Sequence, residues 1–178
     1  MQEADVRHPL RVLFLCTHNS ARSQMAEALL TTRGSRLAPG RFEAGSAGSN
    51  PGMRVHPMAI EVLSAQGIDW RGKPKSIDAV AGRRWDLIIT VCDRARESCP
   101  VFPGRPAFAH WGMDDPSEVE GADAQRRAFR EALGYLSRRI DLLLALPFER
   151  LERMALEKRA QRIAELVPVP RSATTSER

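Results

Sequence analysis

A cysteine stands at the end of an apolar run in the segment Val12-Leu13-Phe14-Leu15-Cys16-Thr17-His18-Asn19-Ser20-Ala21-Arg22-Ser23. The run reads as a buried parallel strand. Five residues separate Cys16 from Arg22, and a helical segment opens at Gln24. A short loop between a strand and a helix start turns successive backbone N–H groups into one concavity. The helix N-terminus adds the positive end of its dipole, and Arg22 adds a planar guanidinium that grips two oxygens of a tetrahedral oxyanion. Thr17, His18, Asn19, Ser20, Ala21 and Arg22 are therefore the oxyanion-binding candidates. A thiol at the mouth of that cradle is expected to ionise readily, because the same field stabilises a thiolate. The chemistry is a nucleophilic sulfur aimed at the central atom of a bound oxyanion. The competing reading is an inert cysteine buried at a strand end. The strand before Cys16, the Arg22-Ser23 pair after it and the helix beyond favour catalysis.

Cys92 and Cys99 are the other two cysteines, and Cys92 follows a third apolar run, so it emerges on the same rim as Cys16. Seven residues on a helix rise about 10 Å, whereas a disulfide needs Cα atoms within roughly 7 Å. Cys92 and Cys99 therefore pair only if the segment between them unwinds or loops out. Two unrelated buried thiols are the alternative. Three cysteines without a close histidine pair do not match zinc-ligand spacing. A third signal is His110-Trp111-Gly112-Met113-Asp114-Asp115-Pro116. An Asp-Pro turn just after a strand brings a carboxyl group to the same rim, where it could give a proton to a departing oxygen. It could equally be an ordinary turn aspartate.

These residues need strands that end together. Leu10–Leu15, Phe42–Ser46, Leu87–Val91 and Ala107–Trp111 read as strands. Ser23–Arg33, Pro57–Gln66, Ser76–Gly82 and Asp123–Leu146 read as helices, the last with Ala128, Ala132, Leu133, Leu136, Ile140, Leu143 and Leu144 at helical spacing. Alternating strands and helices imply right-handed crossovers and a mostly parallel sheet covered on both faces. Ligands in such α/β folds bind at the carboxyl ends of the strands, which is where Cys16 lies.

The 178 residues suit one ordinary domain. A hydrophobic content of 43% with 28% charged residues fits a soluble chain. No apolar run is long enough to span a membrane, and Met1 to Pro9 lacks the apolar stretch of a signal peptide, so a cytoplasmic location is expected. The net charge of +5 comes from bases mixed with acids along the chain. That favours attraction of anionic substrates, or plain surface charge, over a nucleic-acid partner. Three cysteines in such a chain argue against a structural disulfide framework.

From Arg11 to Leu146 the chain resembles the thioredoxin-coupled arsenate reductases, which share a fold with low-molecular-weight tyrosine phosphatases. The matching residues are Cys16 to Glu27, the Ser46-Ala47-Gly48 turn, Cys92 with Cys99, and His110 to Pro116. The nucleophile loop is shared with the phosphatases, while the cysteine pair and the His-Trp-Gly stretch are reductase features. The resemblance implies a four-stranded parallel sheet flanked by helices. It also implies a relay: Cys16 attacks arsenate held by the loop and Arg22, Ser23 steadies the thiolate, and Asp115 rather than Asp114 protonates the leaving oxygen. Cys92 then attacks Cys16, and Cys99 attacks Cys92 to leave a Cys92–Cys99 disulfide exposed to thioredoxin. No bound cofactor is implied. Asn19 is expected to hold the loop in a strained conformation, with Ser46 as its hydrogen-bond partner. Some members bind potassium through residues matching Asn19, Glu27 and Ser46 plus an aspartate. Here Lys73-Pro74-Lys75-Ser76 offers no aspartate, so no metal site is expected, and Lys75 could place its ammonium where the ion would sit. Ser117 follows Asp115-Pro116 where many phosphatases carry tyrosines, which disfavours an aryl phosphate pocket.

Three function classes stand at this point: a reductase, a phosphatase using only Cys16, Arg22 and Asp115, and a non-enzymatic oxyanion or redox sensor. The cysteine pair favours the first over the second, and Asp115 disfavours the third. Residues 1–146 read as the domain and residues 147–167 as a helical extension. The extension carries a partial apolar stripe of Leu151, Met154, Ala155, Ile163 and Leu166 and a Glu149–Arg153 pair, and it reads equally as a helix that packs on the domain or on a second copy and as a solvated helix. Pro168 to Arg178 has the composition of a disordered tail. The oligomeric state stays open.

Overall fold

In the central strand β1 (Leu10–Cys16), Val12, Leu13, Phe14 and Leu15 are all fully buried. Successive strand residues point to opposite faces, so burial of all four means that both faces of the sheet are covered. The computed structural model describes residues 8–97, 99–147 and 153–172. Ser98, Leu151, the Glu149–Arg153 pair and residues 173–178 therefore lie wholly or partly outside the described residues. After β1 come α1 (Arg22–Leu37), β2 (Phe42–Gly48), α2 (Pro57–Ser64), α3 (Ile77–Ala81) and β3 (Leu87–Thr90). These are followed by α4 (Asp93–Glu97), β4 (Ala107–His110), a short 3-10 turn at Pro116–Glu118, α5 (Ala122–Leu144) and α6 (Arg153–Leu166).

The four strands form one parallel sheet in the order β2-β1-β3-β4. From β1 the chain goes first to one side and then to the other, so the order reverses between β1 and β3. A crevice opens outside the carboxyl ends of the strands at such a reversal. Cys16 ends β1 in register with Gly48, and Cys92 lies two residues past the end of β3.

Most segment boundaries agree with the sequence reading to within a few residues, and the larger differences have tertiary causes. The first helix runs on to Leu37, four residues past Arg33, and its Gly34 is buried next to Phe42 and Leu144. In α5 the buried stripe adds Phe129, which stacks on His56 with ring centroids 4.7 Å apart. No described helix is long and apolar enough to cross a membrane.

The C-terminal extension docks on the domain itself. Its buried face is Leu156, Ala160 and Ile163, whereas Met154 and Leu166 of the expected stripe are exposed. The face is set by β4, which it covers. Glu157 accepts a hydrogen bond from the Phe108 amide (3.1 Å) and Gln161 from the His110 amide (2.7 Å). Side chains of α6 thus satisfy donors that an edge strand leaves unpaired. The buried Trp111 indole N–H donates to the Ala160 carbonyl (2.9 Å). Residues 168–172 also contradict the expectation of a disordered tail. Val169 packs against the core, and Arg171 and Ser172 bond to Asp93 and Asp114.

Candidate active site

The loop from Cys16 to Arg22 is held from outside by its carbonyls. The Cys16, Thr17, His18 and Ser20 carbonyls accept bonds from the amides of Ser49, Asn50, Gly52 and His56, at 3.3, 2.8, 2.8 and 2.7 Å. In a planar trans peptide each carbonyl points opposite to the next amide. With these carbonyls turned outward, the following N–H groups turn into the concavity. Ala21 at the start of α1 has no side-chain cap, and the first turn carries no acidic residue. The helix N-terminus therefore adds its unneutralised dipole to the same cradle.

Asn19 holds the loop from within. Its φ is +49°, in the left-handed region, where asparagine is among the few tolerated side chains. All of its polar capacity is used. The amide nitrogen donates to Ser23 and Ser46 (both 2.8 Å), and the amide oxygen accepts from the Gln24 side chain (3.1 Å) and the Lys75 backbone (2.8 Å). Ser46 also donates a short bond to Glu27. The Lys75 ammonium lies 3.5 Å from that carboxylate. Burial is the largest influence on Glu27 and raises its pKa, against the pull of Ser46 and Lys75. Gly48 closes the loop from below. A Cβ there would lie 2.5 Å from the Thr17 carbonyl oxygen and 2.9 Å from the Asn19 nitrogen.

The Cys16 sulfur is 2.8 Å from the Ser23 hydroxyl and accepts the Asn19 amide at 3.1 Å. Its pKa, however, is raised, which corrects the expectation of a readily ionised thiol. Burial dominates, and it outweighs the lowering by Ser23, Arg22 and Asn19. Arg22 has its own carboxylate. The Arg22 guanidinium donates to Asp115 at 2.9 Å and to the Met113 carbonyl at 2.7 Å. Burial alone would raise Asp115, but Arg22 and the Ser117 hydroxyl and amide outweigh it and hold the carboxyl below its usual range. Asp114 accepts instead from Ser172 and pairs with Arg171.

Cys92 is buried, 3.5 Å from the Thr17 hydroxyl, and accepts the Ala95 amide at 3.4 Å. Cys99 is half-buried, and burial raises its pKa. All three thiols are free. The helix between Cys92 and Cys99 covers only Asp93–Glu97, less than the two full turns expected. A cleft of about 400 Å³ is lined by Thr17, His18, Arg22, Cys92, Asp114 and Asp115, among others. The structure thus gathers the loop, the arginine, Cys92 and both aspartates at one rim, with Cys99 at the far end of α4.

Several supporting residues were not legible in the sequence. His110 bridges Thr90 (2.7 Å) and Asp93 (2.9 Å), and so ties β3 and β4 to the start of α4. Gln24, in the first turn of α1, accepts the Trp70 indole N–H while holding Asn19. Arg139 of α5 is buried and donates to the carbonyls of Trp111 (2.8 Å) and Val167 (3.0 Å). Burial and the Arg171 charge lower its pKa to about 10. Only the His110-Trp111-Gly112 stretch gave any local hint of these. A glutamine and an arginine on helices carry no such signal.

A sheet of this order with a thiol, an arginine and an aspartate on its rim defines a phosphatase-type oxyanion site. The family model for low molecular weight phosphotyrosine protein phosphatase matches residues 11–159, and the chain belongs to that family. The relatives are more specific. An arsenate reductase of Halalkalibacterium halodurans is 35% identical over 131 residues, covering 72% of this chain and 91% of the relative. The crystal structure of an arsenate reductase from Archaeoglobus fulgidus is similar with a TM-score of 0.60 and 32% identity, over 76% of this chain and 99% of that one. A thioredoxin-dependent arsenate reductase of Corynebacterium glutamicum matches with a TM-score of 0.51 and 33% identity, over 74% of this chain and 60% of that one.

Proposed function

We propose that this chain reduces arsenate to arsenite through a three-cysteine relay that thioredoxin regenerates. The observation that carries the reading is the placement of Cys92, buried against Thr17 of the nucleophile loop, with Cys99 beyond a five-residue helix. A phosphatase needs neither thiol. The relatives named as arsenate reductases support the same reading, and the Corynebacterium relative supports thioredoxin as the electron donor.

The Cys16 thiolate attacks arsenic, a sulfur–arsenic bond forms, and one arsenate oxygen leaves as water. The loop amides and Arg22 hold the remaining oxygens, where developing negative charge is stabilised without reorganisation. Asp115 supplies the proton to the leaving oxygen. Its carboxyl starts ionised against Arg22, so the incoming anion has two effects: it draws the guanidinium toward its own oxygens, and its charge raises the proton affinity of Asp115, which takes up from solvent the one proton that it passes to the departing hydroxyl. Cys92 then attacks the Cys16 sulfur. The sulfur–arsenic electron pair passes to arsenic, which leaves as arsenite, and a Cys16–Cys92 disulfide remains. Cys99 attacks Cys92, frees Cys16 and leaves Cys92–Cys99 for the thioredoxin dithiol. Ser23 steadies the thiolate, and Asn19, Ser46 and Lys75 hold the loop. Residues 1–146 act as the catalytic domain and 147–167 as its helical extension, in the cytoplasm where thioredoxin keeps thiols reduced.

The family itself favours a second reading, a tyrosine phosphatase using Cys16, Arg22 and Asp115. Arsenate turnover with thioredoxin, thioredoxin reductase and NADPH separates the two. Arsenate-dependent NADPH oxidation is expected. Its absence, together with brisk hydrolysis of para-nitrophenyl phosphate, would establish the phosphatase instead.

A further inference from the structure

The last described residues reach the mouth of the site. Arg139 anchors this strap by holding the Val167 carbonyl, and Val169 packs on the core. Arg171 then lies between two carboxylates, its Nη2 2.7 Å from Asp93 and its Nε 3.2 Å from Asp114. Ser172 adds its amide and its hydroxyl to Asp114, both at 2.8 Å. Asp93 also accepts from His110 at 2.9 Å when that ring nitrogen carries the proton. Gly112 leaves room for this cluster: a Cβ there would lie 2.5 Å from His110 Nε2 and 3.0 Å from both Arg171 Nη1 and Asp93 Oδ1. Asp93 is the first residue of α4 and follows Cys92, while Asp114 precedes Asp115. Arg171 thus joins the segment that carries the second thiol to the segment that carries the proton donor.

We propose that Arg171 is a positioning residue of the relay, holding Asp93 and with it Cys92 against the nucleophile loop in the dithiol state and letting go when Cys92 bonds to Cys99. The proposal rests on the arsenate reductase reading. Its physical basis is that Cys92 and Cys99 flank α4, so bringing their Cα atoms within the roughly 7 Å of a disulfide remodels the helix that begins with Asp93. A contact made in only one of two states shifts the equilibrium toward that state, and the coupling is reciprocal. The ion pair therefore favours the dithiol, and oxidation releases the strap.

The test is a thiol–disulfide titration of the full chain in dithiothreitol redox buffers, with the thiols of Cys92 and Cys99 counted by alkylation and mass. Wild type, Arg171→Ala, Arg171→Lys and Asp93→Asn are compared. In Arg171→Ala the equilibrium constant should move about threefold to tenfold toward the disulfide, tenfold being about 30 mV for a two-electron couple. Arg171→Lys should move it less, because the ammonium keeps one ion pair. Asp93→Asn should move it in the same direction, and the double variant should move it no further than the larger single change. An Arg171→Ala constant equal to wild type overturns the proposal while leaving the relay intact. Failure of the wild type to lose the Cys92 and Cys99 thiols on oxidation with arsenate overturns the relay and the proposal together. If Arg171→Ala does not fold, the Asp93→Asn and Arg171→Lys shifts decide, and no shift in either overturns it.

Discussion

Arg22 and Asp115, 93 residues apart in the chain, form an ion pair of 2.9 Å in which both side chains are largely buried. The anion-binding group and the proton donor of the proposed reaction are thus each other's counterions before substrate arrives. An arriving anion therefore meets an arginine that already has a carboxylate partner.

Asp115→Asn keeps the side-chain shape but can neither take up a proton nor pass one on. We expect arsenate reduction to slow by about a hundredfold or more, the usual contribution of a positioned acid, with a smaller effect on the Michaelis constant. Steady-state turnover coupled to NADPH measures both. A rate within a factor of two of wild type would remove Asp115 from the chemistry.

Cys16→Ser should abolish both arsenate reduction and aryl phosphate hydrolysis, because a serine hydroxyl stays protonated where a thiol ionises. Cys99→Ser should behave differently. It should release one arsenite per chain and then stop, with slow phosphatase activity retained. Sustained turnover with thioredoxin in this variant would show that the third thiol is not used.

The raised pKa of Cys16 sets the pH dependence. The thiolate is the reactive form, so the rate of the first step should climb as pH rises from neutral into the alkaline range. Ser23→Ala removes a bond that favours the thiolate and should move the whole profile to higher pH. Thiolate absorbance in the ultraviolet, read in a chain whose other two cysteines are serine, follows the titration directly. A profile that does not move, or moves down, would contradict the role given to Ser23.

Gly48→Ala places a methyl against backbone atoms of the loop rather than against a yielding side chain. Such overpacking costs about 1–3 kcal/mol, and here the strain falls on Thr17 and Asn19. Denaturant unfolding should show the loss of stability, and turnover should drop by more than the unfolded fraction accounts for. A variant as stable and active as wild type would mean that the loop relaxes freely.

The oxidised and reduced proteins should differ in tryptic cleavage after Arg94 and Arg96. Bonding Cys92 to Cys99 disrupts the helix Asp93–Glu97, while Leu13–Leu15 in the centre of the sheet stays protected from amide exchange in both forms. Equal cleavage of the two forms would argue for two incidental thiols.

The nucleophile loop was legible because everything that makes it is contiguous. An apolar strand, five loop residues, an arginine and a helix start follow one another between Val12 and Gln24. The parallel sheet was legible for a similar reason, since each strand and crossover helix carries its own periodicity. Three things were decided only by folding. The first is the pKa of Cys16, where burial, a property of packing, outweighs the favourable local field. The second is the set of partners taken by Asp115 and Asp114: the resemblance already prefers Asp115 as the proton donor, but only the fold turns it to Arg22 and its neighbour to Ser172. The third is the C-terminal extension, whose sequence leaves open a helix packed on the domain, one packed on a second copy or a solvated one, and whose end reads as a loose tail. Its helix finds unpaired donors on β4, and its end finds Asp93, 78 residues away from Arg171. Contacts across such separations depend on where the sheet places its edges, and no window of sequence carries that information.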